Sequence, residues 1–149
     1  MNTTEKYHGI VPAFYACYEE DGSISPDRAR KLTRHLIRKG VQALYVGGSS
    51  GECIYQTAAE RKLLLEAVIE EAAGQLPVYA HVACNSIEES RMLAAHAQAH
   101  GAAAIFAIPP IYFHLPESSI ADYWNAISDA APETDFFIYN IPQLAGTAL

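Results

Sequence analysis

The sequence predicts an α/β fold built on a parallel sheet, and three observations carry that prediction. Short apolar runs alternate with longer amphipathic stretches along the chain, which is how successive βα units read. The short runs are nearly continuous in apolar residues, as strands buried on both faces are. Their spacing of roughly 26–36 residues is the size of one βα unit. Two architectures fit such a series, a doubly wound sheet and an eight-stranded (β/α) barrel.

Each element follows from local chemistry. Gly9–Tyr15 reads as a first strand and Asp21-Gly22-Ser23 as a turn. Ser25-Pro26-Asp27 then opens a helix. Serine suits the N-cap, proline the first helical position, and an acid the positive end of the dipole. That helix runs to about Lys39 and stops at Gly40, with Leu32, Leu36 and Ile37 on one face. Val41–Val46 is the next strand. Thr57 caps a helix through Ala73, ended by Gly74. Val78–Val82 is the third strand, Ser86 to His100 the third helix, and Gly101 its stop. Ala102–Ile108, a helix over Glu117–Ala131 with Pro132 beyond it, and a strand over Phe136–Tyr139 complete the series. No linker or low-complexity stretch interrupts it, so a single domain is expected over residues 1–149. The Gly47-Gly48-Ser49-Ser50-Gly51 turn has neither the glycine spacing of a dinucleotide fingerprint nor a P-loop lysine. That favours the barrel, although composition alone does not decide. A barrel has eight units over about 250 residues, and this chain supplies about its first five.

Composition excludes several function classes. Half of the 149 residues are hydrophobic and 18% are charged, as in a globular protein. The net charge of −7 argues against nucleic-acid or anionic-membrane partners. No apolar stretch approaches the ~18 residues of a membrane span. Cys17, Cys53 and Cys84 are an odd number without close pairing, which fits a reducing cytoplasm better than a disulfide scaffold. Met1-Asn-Thr-Thr-Glu-Lys6 has no apolar signal region behind it. A soluble, cytoplasmic protein is expected. Every Lys and Arg lies between Lys6 and Arg91, so later surfaces are expected to be acidic or covered.

Two motifs carry chemistry. Tyr45-Val-Gly-Gly-Ser-Ser-Gly-Glu52 and Tyr139-Asn-Ile-Pro142 each follow an apolar run, where a strand should stop. The first offers backbone N–H groups and two hydroxyls, suited to a small carboxylate. The second puts a phenol at a strand end, and a phenol can both donate and accept a proton. Together they point to an enzyme acting on a small keto acid. From Gly9-Ile-Val-Pro-Ala-Phe through Gly146, with these motifs as its core, the chain resembles the pyruvate-dependent class I aldolases, the family that contains N-acetylneuraminate lyase and dihydrodipicolinate synthase.

The resemblance implies a (β/α)8 barrel, usually tetrameric, that forms a Schiff base between a lysine and the ketone of pyruvate, with no metal and no further cofactor. It assigns the pyruvate carboxylate to Gly48, Ser49, Ser50 and the local amides. Ser50 stands where threonine is usual, which keeps the hydroxyl and loses the methyl that fixes its rotamer. Glu52 is expected to anchor the loop. Tyr139 matches the family's proton-shuttling tyrosine, with Ser50 as its relay partner. Tyr112, in Pro109-Pro110-Ile111-Tyr112-Phe113, matches a tyrosine that extends into a neighbouring subunit's site. Dihydrodipicolinate synthases usually carry an arginine two residues after the motif's proline. Here Leu144 stands there and cannot make that carboxylate contact. Leu144 and His81-Val-Ala-Cys-Asn-Ser86 resemble the lyase branch. The expected reaction is reversible cleavage of a sialic-acid-like sugar acid to pyruvate and an N-acyl hexosamine. Alternatives are dihydrodipicolinate synthase or another 2-keto-3-deoxy sugar-acid aldolase.

The lysine itself is not evident. Lys6 precedes the first strand, Lys31 and Lys39 fall on the first helix, and Lys62 on the second. None is at a strand's C-terminal end, where barrel chemistry happens. The resemblance places it on the sixth strand, roughly 28 residues beyond Tyr139, so the isolated chain is expected to be inactive. Two rival readings follow from the residues. One is a thiol or metal site using Cys17, Cys53, Cys84 and His81, among which only His81 and Cys84 have ligand-like spacing and no acid completes the set. The other is a half-barrel or partner-binding fragment without activity. His8, His35 and His114 read as surface residues, and His96 and His100 as a helical i, i+4 pair with no third ligand in view.

Overall fold

The computed structural model describes residues 4–147. Met1 to Thr3, the start of the N-terminal reading, and the last two residues lie outside them. In chain order the elements are α1 (Pro26–Arg38), β1 (Leu44–Val46), α2 (Ala58–Ala72), β2 (Val78–His81), α3 (Ile87–Ala99), β3 (Ala104–Ala107), α4 (Glu117–Asp129), β4 (Asp135–Ile138) and α5 (Pro142–Ala145). The strand order is β1-β2-β3-β4, and β3 and β4 run parallel, as the sequence predicts. The chain divides into two compact units, Met1–Tyr79 and Ala80–Leu149. No helix among the described residues is long and apolar enough to cross a membrane.

In the first unit the predicted strand over Gly9–Tyr15 is reduced to one parallel bridge, Ala13 with Tyr45. Its backbone still reaches β1: Phe14 N–H donates to Tyr45 O at 2.8 Å and Tyr45 N–H to Pro12 O at 3.1 Å. Regular pairing fails for two reasons. Pro12 has no N–H, and the Ile10 amide is taken by the Gln42 side-chain oxygen at 2.7 Å.

Both helices of this unit start as expected. Ser25 Oγ accepts from Arg28 N–H at 3.3 Å, with Pro26 at N1. Thr57 and Glu60 form a full capping box. Thr57 Oγ1 accepts from Glu60 N–H at 3.3 Å, and the Glu60 carboxylate accepts from Thr57 N–H at 2.7 Å. α1 packs on α2. The core beside them holds Phe14, Ile24, Ala29, Leu44, Val46, Leu64 and Val68, all buried. Each large apolar side chain there contributes about 1.5–3 kcal/mol. The pairs Arg30–Glu70 at 2.9 Å and Arg34–Glu71 at 2.7 Å bridge the exposed seam. Such surface pairs are worth at most about 1 kcal/mol each, so the apolar seam holds the helices together. α2 ends one residue earlier than predicted. Ala73, not Gly74, is the first residue to turn left-handed, at φ 46°.

In the second unit β3 and β4 align Ala104 with Asp135 through Ala107 with Ile138. The Phe106 and Phe137 rings stack across this pair at 4.7 Å. α3 packs on α4. Their contact carries a buried polar knot. Ser90 Oγ lies 3.0 Å from Tyr123 Oη and accepts from Cys84 N–H at 2.9 Å, while Tyr123 O–H donates to Cys84 O at 2.7 Å. The knot satisfies the backbone where the chain leaves β2. Leu93, Ala94, Ala97, Ile105, Ile120 and Ile127 fill the core around it. α5 is an element the sequence reading leaves out. Pro142 supplies its first position and Gly146, at φ 73°, its left-handed stop.

Candidate active site

The loop after β1 is shaped by its glycines. Gly47 is left-handed at φ 74°. A Cβ at Gly48 would lie 2.4 Å from the Tyr45 ring, and one at Gly51 would lie 2.9 Å from Phe14 O. The backbone therefore sits closer to β1 and its neighbour than any side-chain-bearing residue permits. Ser49–Gly51 form one 3-10 turn and Cys53–Tyr55 a second. Glu52 joins them in the left-handed region at φ 57°. Gly51 N–H donates to Gly48 O and Glu52 N–H to Ser49 O, both at 3.0 Å. Among the described residues, the amides and hydroxyls of Ser49 and Ser50 have no partner, and both residues are exposed. Ser49 and Ser50 thus offer a compact set of exposed donors beside the buried Gly48, the chemistry an anion needs. The Glu52 carboxylate does anchor the loop. It accepts from the Tyr18 hydroxyl at 2.9 Å.

The second unit carries the tyrosines. Tyr139 directly follows β4, and its N–H donates to Ala107 O at 2.9 Å, which continues the parallel ladder by one bond. Its side chain is half-buried. Leu144 is 61% exposed on α5. Tyr112 is 87% exposed, with its backbone left-handed at φ 83°. A bulky residue in that region is strained, and strain of this kind gathers at working sites. Asn85 holds the Tyr112 loop: its Oδ1 accepts from Ile111 N–H at 2.9 Å. Asn85, Pro110, Ile111, Tyr112, Phe113 and Leu115 line a cavity of about 330 Å³. The far end of this loop reaches α5, where a Cβ at Gly146 would sit 3.8 Å from His114 Cε1.

The residues behind the rival readings are placed as follows. Cys17 is buried and Cys53 and Cys84 are partly so, and none of the three forms a disulfide among the described residues. Burial pushes the Cys17 thiol up, and the Arg28 charge only partly offsets it, so the thiol stays protonated and is a poor nucleophile. His81 is buried at the end of β2. The His96 and His100 rings lie 4.1 Å apart, and His100 Nδ1 is 2.9 Å from His96 O. Three supporting residues escape the sequence reading: Tyr18, Gln56 and Asn85. An asparagine just past a strand end is a usable signal. Tyr18 and Gln56 give none, because their partners are distant in sequence or on the backbone.

A profile of the dihydrodipicolinate synthetase family matches residues 6–149. The N-acetylneuraminate lyase of Mediterraneibacter gnavus is 61% identical over 149 residues, which is all of this chain and 47% of the relative. The N-acetylneuraminate lyase of Escherichia coli strain SE11 is 38% identical over 141 residues, 95% of this chain and 48% of the relative. Among solved structures, a catalytic-lysine mutant of the Ruminococcus gnavus sialic acid aldolase superposes with a TM-score of 0.98 at 61% identity, covering all of this chain and 49% of that one. The chain therefore spans about half the length of the curated relatives it matches.

Proposed function

Because the chain belongs to the dihydrodipicolinate synthetase family, we propose that the whole protein is a class I aldolase that cleaves a sialic-acid-like sugar acid reversibly to pyruvate and an N-acyl hexosamine. The observation that carries this reading is the set of unpartnered donors at Ser49 and Ser50 on a glycine-shaped turn. Those amides and hydroxyls take the carboxylate of the keto acid. A lysine outside residues 1–149 supplies the amine. Its imine with the ketone is an electron sink, so the bond beyond the α-carbon can break and leave an enamine. Tyr139 takes the proton from the hydroxyl that becomes the aldehyde and returns one in the reverse direction. The relatives support the lyase branch, since two N-acetylneuraminate lyases match at 61% and 38% identity. Leu144 supports it too, because an apolar side chain offers a second carboxylate no partner.

Gly48, Ser49 and Ser50 bind substrate. Tyr139, with Ser50, handles protons. Tyr112, exposed on a strained loop, reaches a neighbouring subunit of a homo-oligomer, a tetramer. Three cysteines, an odd number with no disulfide among the described residues, fit the cytoplasm. The test is to add pyruvate and borohydride to the intact protein and record its mass. The expected result is one reduced pyruvate adduct on a lysine. Absence of any adduct at saturating pyruvate overturns the reading.

A further inference from the structure

Tyr18 is held at both ends. Its backbone forms an antiparallel bridge with Ile24, and its carbonyl accepts from Arg28 Nη1 at 2.5 Å. Its hydroxyl donates to Glu52 Oε2 at 2.9 Å and accepts from Gln56 Nε2 at 3.2 Å. Gln56 Nε2 also donates to Gly51 O at 2.9 Å, and this fixes which way its amide points, because a carbonyl can only accept. The two residues directly after Ser50 are therefore both tied down, Gly51 through its carbonyl and Glu52 through its side chain.

The conformation of Glu52 sharpens the point. It sits at φ 57° and ψ 30°, where glycine is the default and a glutamate is disfavoured. Its side chain is put to use there, as the acceptor of the Tyr18 hydroxyl. The hydrogen bond from Gln56 draws the Tyr18 phenol down, but burial and the Glu52 carboxylate push it up further, so its net shift is upward and it stays a donor at neutral pH. We propose that Tyr18 and Gln56 are positioning residues that clamp the turn through Glu52 and Gly51, and that this clamp sets the aim of the Ser49 and Ser50 donors at a carboxylate. The inference rests on the pyruvate reading of that loop.

The experiment uses the intact protein and measures borohydride trapping against pyruvate concentration, with turnover and melting temperature recorded beside it. Tyr18→Phe removes one hydroxyl. Glu52→Gly keeps the left-handed backbone and removes the side chain. Glu52→Gln keeps an acceptor for Tyr18. The clamp predicts that Tyr18→Phe and Glu52→Gly each raise the half-saturating pyruvate concentration about five- to tenfold, the effect of one ordinary hydrogen bond, with kcat within about twofold, the smaller change expected when binding alone is weakened. It predicts that Glu52→Gln stays close to the wild type. A Glu52→Gly protein that saturates like the wild type overturns the clamp, since the backbone conformation alone would then suffice. A Tyr18→Phe protein that only melts lower, at unchanged half-saturation, also overturns it. A wild type that traps no pyruvate removes the underlying reading and the clamp together, and is told apart from the other failures by the wild-type curve alone.

Discussion

The loop after β1 and the loop after β3 occupy equivalent places, each leaving the C-terminal end of a strand, yet they are built by opposite means. The first brings its backbone against its surroundings. Gly48 and Gly51 allow approaches that a Cβ would forbid, and Tyr18 and Gln56 tie the turn from outside. What it presents is backbone N–H and two short hydroxyls. The second presents a side chain. Tyr112 stands 87% exposed on a strained backbone, and Asn85 makes one fixing bond to the neighbouring Ile111. The contrast fits the two tasks proposed for these loops. Holding a carboxylate needs several fixed dipoles at short range. Carrying a phenol to a distant point needs reach.

Substitutions separate these roles, and the largest effect is expected at Tyr139, the tyrosine proposed to handle the proton. Tyr139→Phe in the intact protein is expected to lower kcat for sugar-acid cleavage about 10²- to 10³-fold, measured by pyruvate release. Pyruvate half-saturation should move far less than kcat. Next comes Gly51→Ala. Its Cβ meets Phe14 O at 2.9 Å, and a backbone atom cannot swing aside. A loss of about 1–3 kcal/mol is expected, read as a lowered denaturant midpoint, together with loss of pyruvate trapping. Asn85→Ala tests the second loop. Removing the acceptor of the Ile111 N–H should speed hydrogen exchange at that amide about tenfold and leave the first loop's exchange unchanged. The smallest effect belongs away from both loops. Ala73→Gly relieves a left-handed alanine at φ 46° and should stabilise the protein by about 0.5 kcal/mol.

Much of this molecule is legible in the sequence where the cause is local. Ser25 and Thr57 each cap the helix expected of them, because a cap bonds an amide two or three residues on, and Ser86, read as the first residue of its helix, proves to be its cap. The parallel arrangement of β3 and β4 follows from runs apolar on both faces. The same local reading misses what distant residues decide. Gln42 captures the Ile10 amide, 32 residues away, and so helps limit the first strand to a bridge. Tyr18 meets Glu52 across 34 positions, and no periodicity announces that pair. Ala73 turns left-handed one residue before a glycine that would do so at lower cost. The glycines and serines of the first loop were legible as donors, but the way the loop is held was not.

The proposal that the first loop binds the carboxylate stands or falls on the Ser49→Ala/Ser50→Ala double variant of the intact protein. The measurement is pyruvate-dependent borohydride trapping followed by intact mass. Half-saturation is expected to rise at least about tenfold, as the loss of two hydrogen bonds should produce, while saturating pyruvate still yields one adduct per chain. An unchanged half-saturation would show that the keto acid's carboxylate is held elsewhere.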